Sequence, residues 1–239
     1  MDWLTTNTPL IIGHRGASAG APENTLAAFA LAQEQGADGV ELDVQFSADG
    51  QIVIMHDATV DRTTNGTGRV TDLTLAQLQA LDAGAGQTIP TLDELFEAFG
   101  PRLLYNIEIK DWGWRDHHLE LAVADRIAAY HLERQVLVSS FNPLSVRRAR
   151  RCLTRATLVG MIRQPRWLRW AYRLAGGEAD HPHYAMVDEG YMAWARQHGY
   201  RVHVWTVDDP AGAQQLAALG VHGIITNQPG RIRQSLAHT

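Results

Sequence analysis

Eight short runs rich in apolar and β-branched residues recur along the chain: PLIIG, GVELDVQ, LLYNIEIK, QVLVSSF, ATLVGMI, YAMVD, RVHVWTV and GIITN. Helix-like stretches separate most of them, among them NTLAAFALAQEQG, HHLELAVADRIAAYHL and DPAGAQQLAALG. Strands alternating with helices argue for parallel βα units. Eight such units in 239 residues predict an α/β fold, a TIM (β/α)8 barrel in one domain over 1–239, with its site at the C-terminal ends of the strands.

One interval breaks the rhythm. After IVIMHD comes ATVDRTTNGTGRVTDLTLAQLQALDAGAGQTIP, rich in turn residues and carrying a helix-like TLAQLQAL. It predicts a small inserted segment, residues 57–88, after the second strand, acting as a lid or substrate-binding loop. A net charge of −5 supplies no basic field for nucleic acid. The single Cys152 forms no internal disulfide and fits a reducing compartment. The first residues lack the pattern of a secretory signal, and no apolar stretch is long enough to span a bilayer, so the expectation is a soluble, cytoplasmic protein.

Ionisable residues gather at the predicted strand ends. The first strand ends in His14 and Arg15, the second carries Glu41 and Asp43, IVIMHD ends in His56 and Asp57, and NIEIK brings Glu108 and Lys110, the sole lysine of the chain. Residues two apart on a strand share a face, so Glu41 with Asp43, and Glu108 with Lys110, can both point into a barrel. Three carboxylates there repel one another and are costly to desolvate, and a divalent cation is the simplest balance. Oxygen ligation favours Mg2+ or Ca2+, with Mn2+ admitted; ligation by His14 and His56 would shift the preference to Zn2+ or Mn2+. The same two histidines also suit a general acid and base acting on a phosphate ester. Arg15 offers a fork for phosphate oxygens, and Lys110 a compact charge. Taken singly, each group has a structural explanation, a strand-end hydrogen bond or a Glu108–Lys110 ion pair; all four segments carry such groups at equivalent ends.

GHRGASAGAPENTLAAF, GVELDVQFSADGQIVIMHD and NIEIK, followed by VLVSSFNP, VHVWTVDD and GIITNQPG, together resemble the glycerophosphodiester phosphodiesterases over nearly the whole chain. The resemblance implies a (β/α)8 barrel with an insertion after the second strand. It implies His14 and His56 as the acid/base pair, usually with His14 as base, and Glu41, Asp43 and Glu108 as ligands of one divalent ion. Arg15 and Lys110 fall at the phosphate position and Trp205 where an aromatic side chain lines the pocket. The implied reaction is metal-dependent hydrolysis of a small glycerophosphodiester, such as glycerophosphocholine or glycerophosphoethanolamine, to sn-glycerol 3-phosphate and an alcohol. Lysophospholipase D activity and a non-catalytic phosphodiester-binding barrel are the rivals, and a monomer or homodimer is expected.

Asn24 is expected to cap the first helix and Glu23 to hydrogen-bond beneath the site, both in supporting roles. Gly13 and Gly16 flank the His–Arg pair where the backbone turns tightly or approaches a ligand. In the Arg- and Trp-rich stretch 163–173, a helix would put Trp167, Trp170, Ala171 and Leu174 on one face beside Arg166, Arg169 and Arg173. Core packing is the favoured reading there, a peripheral membrane contact the weaker one. His181 and His183 are expected in a loop.

Overall fold

The computed structural model describes residues 2–4, 8–111, 118–163 and 176–237. Nine strands form one sheet: β1 (Leu10–His14), β2 (Gly39–Phe46), β3 (Ile52–Ile54), β4 (Leu104–Ile109), β5 (Val136–Ser140), β6 (Leu158–Arg163), β7 (Ala179–Pro182), β8 (Arg201–Val204) and β9 (Gly223–Thr226). The order is β1-β9-β8-β7-β6-β5-β4-β2-β3, and β1 also pairs with β2 in parallel. Eight parallel strands therefore close on themselves, while β3 hangs antiparallel on the end of β2. This is the expected (β/α)8 barrel, with helices such as Leu26–Glu34 (α1), Leu119–Ala129 and Pro210–Ala218 between strands.

Strand parity divides the side chains between two cores. Outward residues such as Val40, Leu42, Val44, Ile107 and Val138 pack with Phe29, Phe96 and Val123 of the helices. Inward residues Leu10, Ile12, Leu104, Leu137 and Leu158 pack with one another and with Trp3 at the opposite end from the site. The Trp3 indole N–H donates to the Gln135 carbonyl at 2.8 Å, satisfying the polar handle of a fully buried ring.

Two sequence expectations are corrected. The sixth run, YAMVD, is not a strand: Tyr184–Met186 is a 3-10 turn, and the barrel strand lies just before it at Ala179–Pro182. His181 is thus a buried strand residue rather than a loop residue, while His183 follows the strand and bridges to Trp205. Asn24 does not cap α1; it sits in the left-handed region (φ 57°), and Thr25 is the cap, its Oγ1 accepting from the Ala28 N–H at 3.2 Å. The stretch from Arg166 to Leu174, with Trp167, Arg169, Trp170, Ala171 and Arg173, lies outside the described residues.

The inserted segment has its own apolar core. Val60, Val70, Leu78 and Ala83, joined by Ile89 just after the segment, pack against Val53 and Met55, which belong to the hairpin arm leading to His56. Its helix α2 (Leu75–Gln79) starts with a capping box between Thr74 and Gln77, a local signal that fixes a short helix.

At the other side of the mouth the β1–α1 turn is tight. Gly16 has φ +84°, and a Cβ there would lie 2.5 Å from the Ala28 carbonyl carbon. Gly50 has a similar φ of +77° with nothing within 4 Å. We expect Gly16→Ala to destabilise by about 2 kcal/mol or more, strain plus overlap, and Gly50→Ala by about 1 kcal/mol, the left-handed penalty alone. Urea midpoints check this ranking; equal midpoints for the two variants would contradict it.

Candidate active site

Register brings the polar strand ends together. His14 is the cross-strand partner of Glu41, and Asp43 of Glu108. Because Glu41 and Asp43 share the inward face of β2, and Glu108 lies on that of β4 with Lys110 just beyond the strand end, parity delivers all of them to one end of the barrel. One oxygen from each of Glu41, Asp43 and Glu108 lies within 4.8 Å of the others, and all three side chains are buried.

Two cations face this cluster. Lys110 Nζ lies 2.8 Å from Glu108 Oε1 and 3.4 Å from Asp43 Oδ1. Arg15 Nε lies 3.4 Å from Asp43 Oδ2, while the Arg15 backbone N–H donates to Glu41 Oε2 at 3.0 Å. That second contact requires the left-handed backbone of Arg15 (φ 55°), a local cost of a kind that concentrates at functional sites. Asn24 Nδ2 donates to Asp43 Oδ2 at 2.9 Å, so its support reaches a carboxylate rather than a helix end.

The charge balance is uneven. Burial, then the neighbouring Asp43, push the Glu41 carboxyl well above its usual range, and the same two causes push Glu108 up to about 7. Asp43 goes the other way: burial raises it, but Lys110 and Arg15 pull it below the ordinary value. Asp43 Oδ1 is buried without a hydrogen bond. An all-oxygen donor set, net negative and with an unsatisfied inward oxygen, fits a hard divalent cation.

The two histidines are held differently. His14 Nδ1 is 2.7 Å from Asn227 Oδ1. The Asn227 amide orientation follows from its other side, where Nδ2 donates to Asp208 Oδ2 at 2.6 Å. A carboxylate only accepts, so Asn227 Oδ1 faces His14, Nδ1 must carry the proton, and Nε2 presents a lone pair to the site. Burial, then Arg15, lower the His14 pKa, favouring the neutral ring. His56 Nδ1 instead meets a carboxylate, Asp57 Oδ1 at 2.6 Å. Buried Gln45 fixes the backbone on both sides of it, Nε2 donating to the carbonyls of Met55 (2.9 Å) and Asp57 (2.7 Å).

Both histidines, Arg15, Glu41, Glu108 and Lys110 line one cavity of about 430 Å³. Its far wall is apolar, from Phe141, Ile162, Trp205 and Ile225, and its floor carries Asn106 and His181. Trp205 packs edge-on against Phe141 with centroids 5.6 Å apart. Glu23 lies at the rim, accepting from Arg15 Nη1 at 2.8 Å and from Arg62. Sequence reasoning missed Asn227, Asp208, Phe141 and His181. Phe141 and Asn227 stand directly after strand ends, the same positional rule that found His14 and His56, while Asp208 lies in the loop between β8 and the next helix; His181 was hidden by the misplaced sixth strand.

Fold and site together define a (β/α)8-barrel phosphodiesterase. The chain belongs to the glycerophosphoryl diester phosphodiesterase family, whose model matches residues 14–231. It is 40% identical over 230 residues to a glycerophosphodiester phosphodiesterase of Caldanaerobacter subterraneus subsp. tengcongensis, covering 92% of this chain and 94% of that protein. A glycerophosphodiester phosphodiesterase of Bacillus subtilis is 30% identical over 255 residues, 95% of this chain and 86% of the relative. Among solved structures, an Oleispira antarctica phosphodiesterase in complex with the product sn-glycerol-3-phosphate superposes with a TM-score of 0.84 at 31% identity, covering 96% of this chain and 97% of that one. Among the described residues no helix is long and apolar enough to cross a membrane.

The carboxylate cluster has a stability signature. A carboxyl with a raised folded-state pKa stabilises the fold while protonated, and that contribution is lost as pH rises from the unfolded value near 4.5 through about 7 for Glu108. Ion-free protein should therefore lose stability across this window. A divalent ion binds only the ionised carboxylates, so Mg2+ or Ca2+ should raise Tm more at pH 8 than at pH 5. Equal increments by calorimetry at the two pH values would contradict the cluster as a cation site.

Proposed function

We propose that the protein hydrolyses glycerophosphodiesters to sn-glycerol 3-phosphate and a free alcohol, with Glu41, Asp43 and Glu108 holding one Mg2+ or Ca2+. The observation that carries this reading is the pairing of a lone-pair nitrogen on His14 with a carboxylate-backed His56 across one cation cradle. When bound, the divalent ion supplies a positive charge against the phosphate oxygens. Arg15 and Lys110 add positive charge at the same place and disperse what develops in the transition state.

In the first step His14 Nε2 takes the proton of the glycerol 2-hydroxyl, whose oxygen attacks phosphorus. The bond from phosphorus to the departing alcohol breaks, and His56 Nε2 supplies that alcohol with a proton. In the second step the roles reverse: His56 takes a proton from water, the water oxygen opens the cyclic phosphate, and His14 returns its proton to the glycerol oxygen. Each nitrogen ends as it began. The Asn227 contact keeps His14 ready to accept, and the Asp57 carboxylate, engaged by His56 Nδ1, orients the ring so that Nε2 faces the departing alcohol.

His14→Ala and His56→Ala should each lower turnover of glycerophosphocholine by at least roughly 10²-fold, and excess chelator should abolish it. An enzymatic assay for glycerol 3-phosphate over several glycerophosphodiesters, with lysophosphatidylcholine alongside, reads the outcome. Both variants at wild-type rate would overturn the mechanism; binding without product would favour a non-catalytic barrel, and preference for lysophosphatidylcholine a lysophospholipase D. Lys110→Arg should cost about tenfold or more, since a planar fork cannot replace a compact charge set between two carboxylates. Near-normal turnover of that variant would reduce Lys110 to a structural ion pair.

A further inference from the structure

We propose that Arg62, from the inserted segment, is a positioning residue for leaving-group protonation: it holds the carboxylate that orients His56, so the insertion is the mount of the general acid. The inference rests on the reading of His56 above.

The geometry is a continuous chain of charged groups. Arg62 Nε donates to Asp57 Oδ2 at 2.5 Å, and the other oxygen of that carboxylate meets His56 Nδ1 at 2.6 Å. The far edge of the same guanidinium forks onto Glu23, Nη1 to Oε2 at 2.8 Å and Nη2 to Oε1 at 2.7 Å. Glu23 in turn accepts from Arg15 Nη1 at 2.8 Å. One side chain thus ties the loop bearing His56 to the β1–α1 turn bearing Arg15. Only a planar group with donors on two edges can make these three bonds together.

A carboxylate held by one partner alone can swing about its side-chain torsions, and the imidazole swings with it. Asp57 is in that position without Arg62, because its side chain is 29% exposed. Arg62 has a firm footing, two residues beyond Val60, which is buried in the insertion's apolar core together with Met55, the residue before His56. The Arg62 side chain is itself 50% exposed, and exposed ion pairs add little to folding. Removing it should leave the fold intact and its effect visible in kinetics.

The test compares two substrates that differ in their need for an acid. Choline leaves glycerophosphocholine as an alcohol that must be protonated, whereas p-nitrophenolate leaves glycerophospho-p-nitrophenol with its bonding electron pair and no proton, His56 keeping its own. Single-turnover release of choline or nitrophenolate isolates the first step. For Arg62→Ala, choline release should fall about 10- to 100-fold, the usual effect of losing a residue that orients a functional side chain, with nitrophenolate release within about threefold of wild type. Arg62→Lys should recover only part of the loss, since an ammonium lacks the fork. An equal loss on both substrates, no loss on either, or full recovery with lysine would overturn the proposal. Failure of the wild-type protein to release glycerol 3-phosphate would instead overturn the underlying functional reading, so the two failures are distinguishable.

Discussion

Mutual repulsion of three buried carboxylates governs the architecture of this barrel mouth. Glu41, Asp43 and Glu108 converge within 4.8 Å in a place where water cannot screen them, and every neighbouring feature answers that charge. Lys110 enters from just past the end of the strand that carries Glu108, with Arg15 bent into a left-handed turn and Asn24 donating an amide. Even so, two of the carboxyls remain above their ordinary range. The same converging oxygens that cost the fold stability are the ones that fit a divalent cation, so the structural cost and the functional capacity have one origin.

The histidines show how small differences in outer contacts separate two chemically identical side chains. Both present Nε2 to the cavity because Nδ1 is engaged, but one partner is an amide oxygen and the other an anion. Either partner holds Nδ1 and so fixes the orientation of the ring, but the amide oxygen is neutral, whereas the carboxylate sets a full negative charge against it. The asymmetry extends a layer further, since Asp208 orients Asn227 as Arg62 orients Asp57.

Much of this was legible in the chain because barrel geometry is periodic. Alternation of apolar runs with helical stretches implies closure, and period-two spacing in GVELDVQ and NIEIK puts the carboxylates on one face. The sixth strand was not legible. It reads ADHP, with two polar residues and a proline, because Asp180 pairs outward with Arg163 at 3.1 Å while His181 turns inward to the cavity floor. A buried ion pair between strands looks from sequence like a surface loop. Thr25 and Asn24 were exchanged for a related reason: both are good capping residues, and only the left-handed backbone at Asn24 assigns the cap to its neighbour. The turn residues of the insertion are legible because they are local signals, whereas its apolar core with Val53 and Met55 is a tertiary fact.

The cavity is divided. Its charged groups come from β1, β2, β4 and the insertion; the apolar wall comes from the ends of β5, β6, β8 and β9. Substitutions on separate, non-touching sides of a site tend to act additively. A lineage could therefore reshape the apolar wall at Phe141, Ile162 or Ile225 while the charged groups opposite stay untouched. Drift in substrate range and constancy of chemistry are then two histories that one barrel can carry at once.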